Sequence, residues 1–118
     1  MKKFLAIYLG SDSPDKMKQW ESLSEEVRKN KISEGIAAWG KWAQEHTSAI
    51  VEMGSPLGKT KSANAGGVTD IKNKMTGFAI VQAENHESAA KMFLNHPHYT
   101  IFPGDSIEVM ECLPIPSM

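Results

Sequence analysis

An α+β domain ordered strand, helix, strand, strand, helix, strand is predicted by three features of the 118-residue sequence. Residues 4–9 and 77–83 are short runs that place apolar groups on both faces of a strand. Two stretches carry apolar residues at three- and four-residue steps, and capping side chains precede them. The last stretch, 106–113, alternates apolar and polar groups as a half-exposed edge strand does.

The run 4–9, bounded by Lys3 and Gly10, is the first strand, buried on both faces. Ser13 with Pro14, and Ser24 before Glu25 and Glu26, read as the starts of two short helical turns, because a hydroxyl can accept from the orphan amides and acids favour the positive end. The main helix is expected over 33–47, with Ile36, Trp39, Ala43 and Ile50 as its core stripe. Residues 49–53 form the second strand, ended by Gly54-Ser55-Pro56, and a polar loop then extends to about Met75. The third strand, 77–83, sets Phe78 and Ile80 against Ala79 and Val81 on opposite faces. Asn85 caps a helix whose buried stripe is Ala89, Ala90, Phe93 and Leu94, and Pro97 drives His96 out of helical geometry. In the last strand Ile107, Val109 and Leu113 oppose Glu108, Met110 and Cys112.

That order is the ferredoxin-like one, with the first and third strands central in a four-stranded antiparallel sheet. Two helices cover one face only, so the apolar groups on the other face of the central strands need a second cover. A second copy of the chain is the expected one, since closed homodimers are the commonest assembly and burial at ~25 cal/mol per Å² matters greatly to so small a domain.

Composition bounds the function. The length fits one domain spanning 1–118, and 41% hydrophobic with 23% charged residues is ordinary globular usage. With 13 basic against 14 acidic residues there is no basic field for nucleic acid. No stretch approaches the ~20 apolar residues of a membrane span. The basic start and short apolar run at the N-terminus lack a small-x-small cleavage pattern, so no secretory signal is expected. One cysteine, Cys112, fits a reducing cytoplasm and an inert packed thiol.

Gly58-Lys59-Thr60 resembles the end of a phosphate loop, but only three residues separate it from Gly54 and Pro56 lies between, so no nucleotide cofactor is expected. His96-Pro97-His98 is the most reactive tripeptide. An extended proline backbone would set two imidazoles toward one side, where either could serve as a general acid or base oriented by Asp105 or Glu108. No further ligands stand at metal spacing, so no metal is expected. The bland alternative has these histidines satisfying the last carbonyls of the preceding helix. Trp39 is expected in the core and Trp42 at the stripe's edge as a pocket wall.

Gly54-Ser55-Pro56-Leu57, Gly77-Phe78-Ala79-Ile80 and Ile107-Glu108-Val109 resemble the YCII-related family, also called the DGPF family. The resemblance implies a small dimeric α/β barrel. Some members resemble lactone-processing or dehydrohalogenating enzymes of aromatic breakdown that use a histidine with an acidic partner. Here Gly54 stands where the name-giving motif has its acid and Leu57 where it has phenylalanine, so the resemblance carries no acid to this position, and Asp70 in the following loop is a candidate replacement. The expected sites are His96, His98 and Asp70 for catalysis, and Trp42, Pro56, Lys59 and Thr60 for ligand binding, without a cofactor. Two functions fit: an isomerase or lyase moving a proton on a small cyclic or aromatic acid, or a non-catalytic dimer that binds a ligand or protein in the same cleft.

Overall fold

The two doubly apolar segments, β1 (Lys2–Leu9) and β5 (Met75–Ala83), pair antiparallel at the centre of a four-stranded sheet in the computed structural model, which describes residues 1–116. β2 (Ile50–Glu52) flanks β5 and β6 (Ser106–Glu111) flanks β1, all antiparallel, giving the order β2-β5-β1-β6. This is the ferredoxin-like arrangement, and the fold class is α+β. Period-two alternation sends Phe4, Ala6 and Tyr8 of β1, with Ala79, Val81 and Ala83 of β5, into one core with Trp42, Ala89 and Phe93. Phe4 is fully buried there, which stabilises by about 1.5–3 kcal/mol.

The opposite face is left uncovered by the chain's own helices. Register puts Leu5 between Ile80 and Met110, and Ile7 between Phe78 and Glu108. Leu5, Ile7, Phe78 and Ile80 are half-buried, and Met110 is exposed.

Each long helix begins where its capping residue indicates. Ser13 Oγ accepts from Lys16 N ahead of α1 (Pro14–Ser22). Ser24 Oγ accepts from Val27 N, but the helix it starts is the whole of α2 (Glu25–Glu45). The predicted short second turn is therefore the beginning of the main helix. Its first turns carry polar residues on most sides and cover no sheet, so no apolar stripe marks them. Gly35 and Trp42, seven apart, lie on the inward face, while Ile36 is exposed and outside the core.

The expected polar loop is a β-hairpin, β3 (Thr60–Asn64) with β4 (Gly67–Ile71), in five-pair register. Asn64 Oδ1 accepts from Gly66 N across the turn, and Gly67 takes φ 116°, a left-handed value that suits glycine. Neither strand contributes a core residue. The hairpin and the exposed start of α2 raise the radius of gyration to 16.4 Å, against about 13.5 Å for a compact chain of this length.

Asn85 Oδ1 caps α3 (His86–Lys91), and the chain then leaves helical geometry at Asn95, φ 58°. Of the expected stripe, Ala89 and Phe93 are buried but Ala90 and Leu94 are exposed, because α3 is only six residues long. Leu113 likewise lies past the end of β6, exposed. Cys112 beside it is exposed rather than packed, for the same reason.

Candidate functional site

Pro97 does not hold an extended pair of histidines. It occupies the first position of a short helix, α4 (Pro97–Thr100), for which proline's fixed φ is suited, and His96 becomes the cap. His96 Nδ1 accepts from His98 N at 3.0 Å, and the His96 carbonyl accepts from the Thr100 hydroxyl. Nor do the histidines serve the end of α3. Trp42 Nε1 donates to Met92 O at 2.7 Å, and the Tyr99 hydroxyl donates to Phe93 O at 2.6 Å.

His96 is fully buried among Tyr8, Trp39, Trp42 and Phe93. With Nδ1 accepting, its proton sits on Nε2, the one sealed side-chain polar atom among the described residues without a hydrogen-bond partner. Both indoles meet the imidazole edge-on, at ring-centre distances of 4.5 Å and 4.8 Å, a setting in which an N–H can face a π cloud. Burial, followed by the nearby His98 and His46, lowers its pKa to about 3. His96 is a neutral structural cap at physiological pH.

His98 stands differently. Its Nε2 lies 2.7 Å from Leu9 O, and a carbonyl can only accept, so Nε2 holds the proton and Nδ1 keeps its lone pair. The Leu9 carbonyl also accepts from Asp105 N at 3.1 Å on the β6 side, so His98 takes its second lone pair. On the other side of β1, the register with β5 slips between Tyr8 and Leu9. The residue skipped on β5, Thr76, donates its hydroxyl to Tyr8 O at 2.9 Å. Gly104 closes the other side of the ring; a Cβ there would lie 2.3 Å from His98 Nε2. The expected carboxylate partner is absent from this bond. Asp105 instead contacts Lys16 at 3.2 Å and Lys74 at 3.8 Å, and Ser11 and Lys16 beside it hold its carboxyl below the usual range. Burial outweighs the Leu9 bond and leaves His98 less basic than a free imidazole.

His98 lines a cavity of about 570 Å³ between α2 and the β2 side of the sheet. Aromatic walls come from Tyr8, Trp39 and Phe102, and Ile36, Met53 and Pro56 stand around its opening. None of its lining residues is charged at neutral pH. His98 Nδ1 makes no hydrogen bond with a described residue and is not a sealed atom, and the ring that carries it lines this cavity.

The sequence-predicted residues divide accordingly. His98 and Pro56 line the cavity, whereas His96 lies behind it. Lys59, Thr60 and Asp70 line a second concavity at the base of the hairpin, which shares no residue with the first. Asp70 is exposed and paired with Lys61 at 2.6 Å. The two tryptophans exchange roles. Trp42 is in the core, and Trp39, on the same inward stripe but in front of the gap, forms the pocket wall. Tyr8 is legible in the sequence only as a strand residue, although it is the single hydroxyl-bearing side chain in the run 4–9.

Among the described residues, no group of three or more His, Cys, Asp or Glu side chains is placed to hold a metal, and no helix is long and apolar enough to cross a membrane. No protein-family model matches the chain. No curated protein matches it either. Among solved structures it is similar to the 5-chloro-2-hydroxyhydroquinone dehydrochlorinase TftG from Burkholderia phenoliruptrix AC1100, in complex with 2,5-dihydroxybenzoquinone. The identity is 21% and the TM-score 0.46, covering 91% of this chain and 89% of that one.

Proposed function

We propose that this chain is a small-molecule-binding domain of the YCII-related kind, and that its cavity takes a small, flat, uncharged ring compound from which His98 accepts a proton. The observation that carries the reading is the state of His98: Nε2 anchored on the Leu9 carbonyl, Nδ1 without a hydrogen bond to a described residue, and the ring lining an apolar, aromatic-walled cavity. A general base needs a lone pair, a fixed ring and a pKa below the working pH, and His98 has all three. An uncharged ligand replaces the acid implied by sequence, because Lys59 and Thr60 belong to the other concavity and the cavity offers no cation.

The pairing of two chains through the open faces of their sheets belongs to the same reading. It is supported by Leu5, Ile7, Phe78, Ile80 and Met110, which form a continuous apolar surface in register. Cytoplasmic residence is supported only by the lone exposed Cys112. Binding without turnover is the second reading, favoured by the anchoring of His98 on a carbonyl where catalytic histidines more often have a carboxylate.

Imidazole nitrogen NMR tests the proposal. Addition of millimolar phenol, a flat neutral probe, should shift the His98 Nδ1 resonance and leave His96 unmoved. Benzoate at the same concentration should bind at least tenfold more weakly. Equal shifts for both probes, or none, would contradict an apolar, cation-free site.

A further inference from the structure

Buried phenols as a rule find hydrogen-bond partners, and even the half-buried Tyr99 does so, on Phe93 O at 2.6 Å. Tyr8 is the exception. It is only 4% exposed, at the register slip of the central strand, with its ring centre 5.4 Å from that of His98 and 4.9 Å from that of Trp39. Its hydroxyl makes no hydrogen bond with a described residue, yet it is not sealed, and Tyr8 lines the cavity. Two neighbouring rings, one with an unpartnered donor and the other with an unpartnered acceptor, therefore line one cavity.

We propose that Tyr8 is a second substrate-contacting group, whose hydroxyl donates to the carbonyl oxygen of an enolisable ring compound while His98 Nδ1 takes the proton from the adjacent carbon. This deepens the reading of His98 as a base and rests on it. The step balances without a co-reactant. The C–H bond breaks and its electron pair becomes the new C=C bond, the C=O π pair moves onto oxygen, and the proton resides on His98. Return of that proton to carbon restores the ketone or yields its isomer. A neutral donor is suited to the task because charge develops on oxygen only during the step, beside an apolar, aromatic wall. Burial raises the phenol's pKa well above its ordinary value, so Tyr8 remains a donor throughout the working range. The absence of cations from the lining sets the class further: a neutral cyclic ketone fits, whereas a carboxylate would enter without a counter-charge.

Two probes of nearly one shape test this, 2-indanone, a flat ring ketone with acidic hydrogens beside its carbonyl, and indane, which lacks the oxygen. Binding to each and exchange of the 2-indanone hydrogens for deuterium in D2O are measured for the parent, Tyr8→Phe and His98→Gln. Tyr8→Phe should weaken 2-indanone binding about fivefold, the worth of one hydrogen bond, leave indane binding within twofold, and slow exchange about 100-fold. Retained indane binding shows that the variant's cavity is folded. His98→Gln should abolish catalysed exchange. If His98→Gln does so while Tyr8→Phe changes neither ketone binding nor exchange, the Tyr8 assignment falls and the base reading stands. If His98→Gln leaves exchange unchanged, or the parent catalyses none, the base reading falls and the Tyr8 role with it.

Discussion

Acidification from pH 7 to pH 5 is expected to cost the folded chain about 2 kcal/mol through His96 alone. In the unfolded chain this imidazole titrates near the ordinary 6.5; in the folded chain its pKa is lowered to about 3, first by burial. Its contribution is complete above about 6.5 and declines as the pH falls from there toward about 3, because only the unfolded state binds the proton in that window. Each pH unit in the window is worth 1.36 kcal/mol, and pH 5 lies about one and a half units below the unfolded value, which gives about 2 kcal/mol. Urea unfolding followed by circular dichroism at both pH values measures the loss. His96→Asn supplies the control, since an asparagine cap can still accept from His98 N while carrying no titrating group. His98 titrates in both proteins and cancels in the difference. The parent should lose about 2 kcal/mol more than the variant, whatever the variant's stability at pH 7. Equal losses would refute the view of His96 as a buried neutral cap.

Gly104→Ala should lower Tm by about 8–12 °C in calorimetry, since the new Cβ would sit 2.3 Å from His98 Nε2 and 2.6 Å from His98 O, an overpacking cost of about 2–3 kcal/mol. Gly54→Ala should be at least as damaging, because φ is 73° and the Cβ would lie 1.8 Å from Phe78 O; recovery of soluble folded protein at parental Tm would contradict the geometry. Asp70→Asn should leave both Tm and 2-indanone exchange unchanged, as its ion pair with Lys61 is exposed. Exchange should be constant above the His98 pKa and fall as pH drops through it, at a point below the ordinary 6.5, because only the unprotonated ring is a base.

The central strands, the caps at Ser13, Ser24 and Asn85, and the ferredoxin-like order are all legible in the sequence, because burial and capping leave local signatures. Elements that bury nothing leave none. The first turns of α2 and both strands of the hairpin bury no residue fully, so no apolar periodicity is imposed on them, and their residues read as a short turn and a loop. At the site, His98 announces itself by its chemistry. What fixes it is the carbonyl of Leu9, 89 positions away, which has no residue-type signal at all. The exchanged roles of Trp39 and Trp42 have a related cause. Both lie on one stripe, and only the missing packing in front of Trp39 distinguishes them.

The hairpin of β3 and β4 shares no side chain with the buried core, and its five pairs draw on one another alone. Two strands by themselves are marginal in water. Its amides should therefore exchange with solvent through an opening of their own, with far less protection than those of β1 and β5, while the sheet beneath stays closed. For anyone wishing to graft an epitope or a peptide onto this protein, Ala65 and Gly66 at the hairpin tip are the place where an insertion disturbs the cavity least.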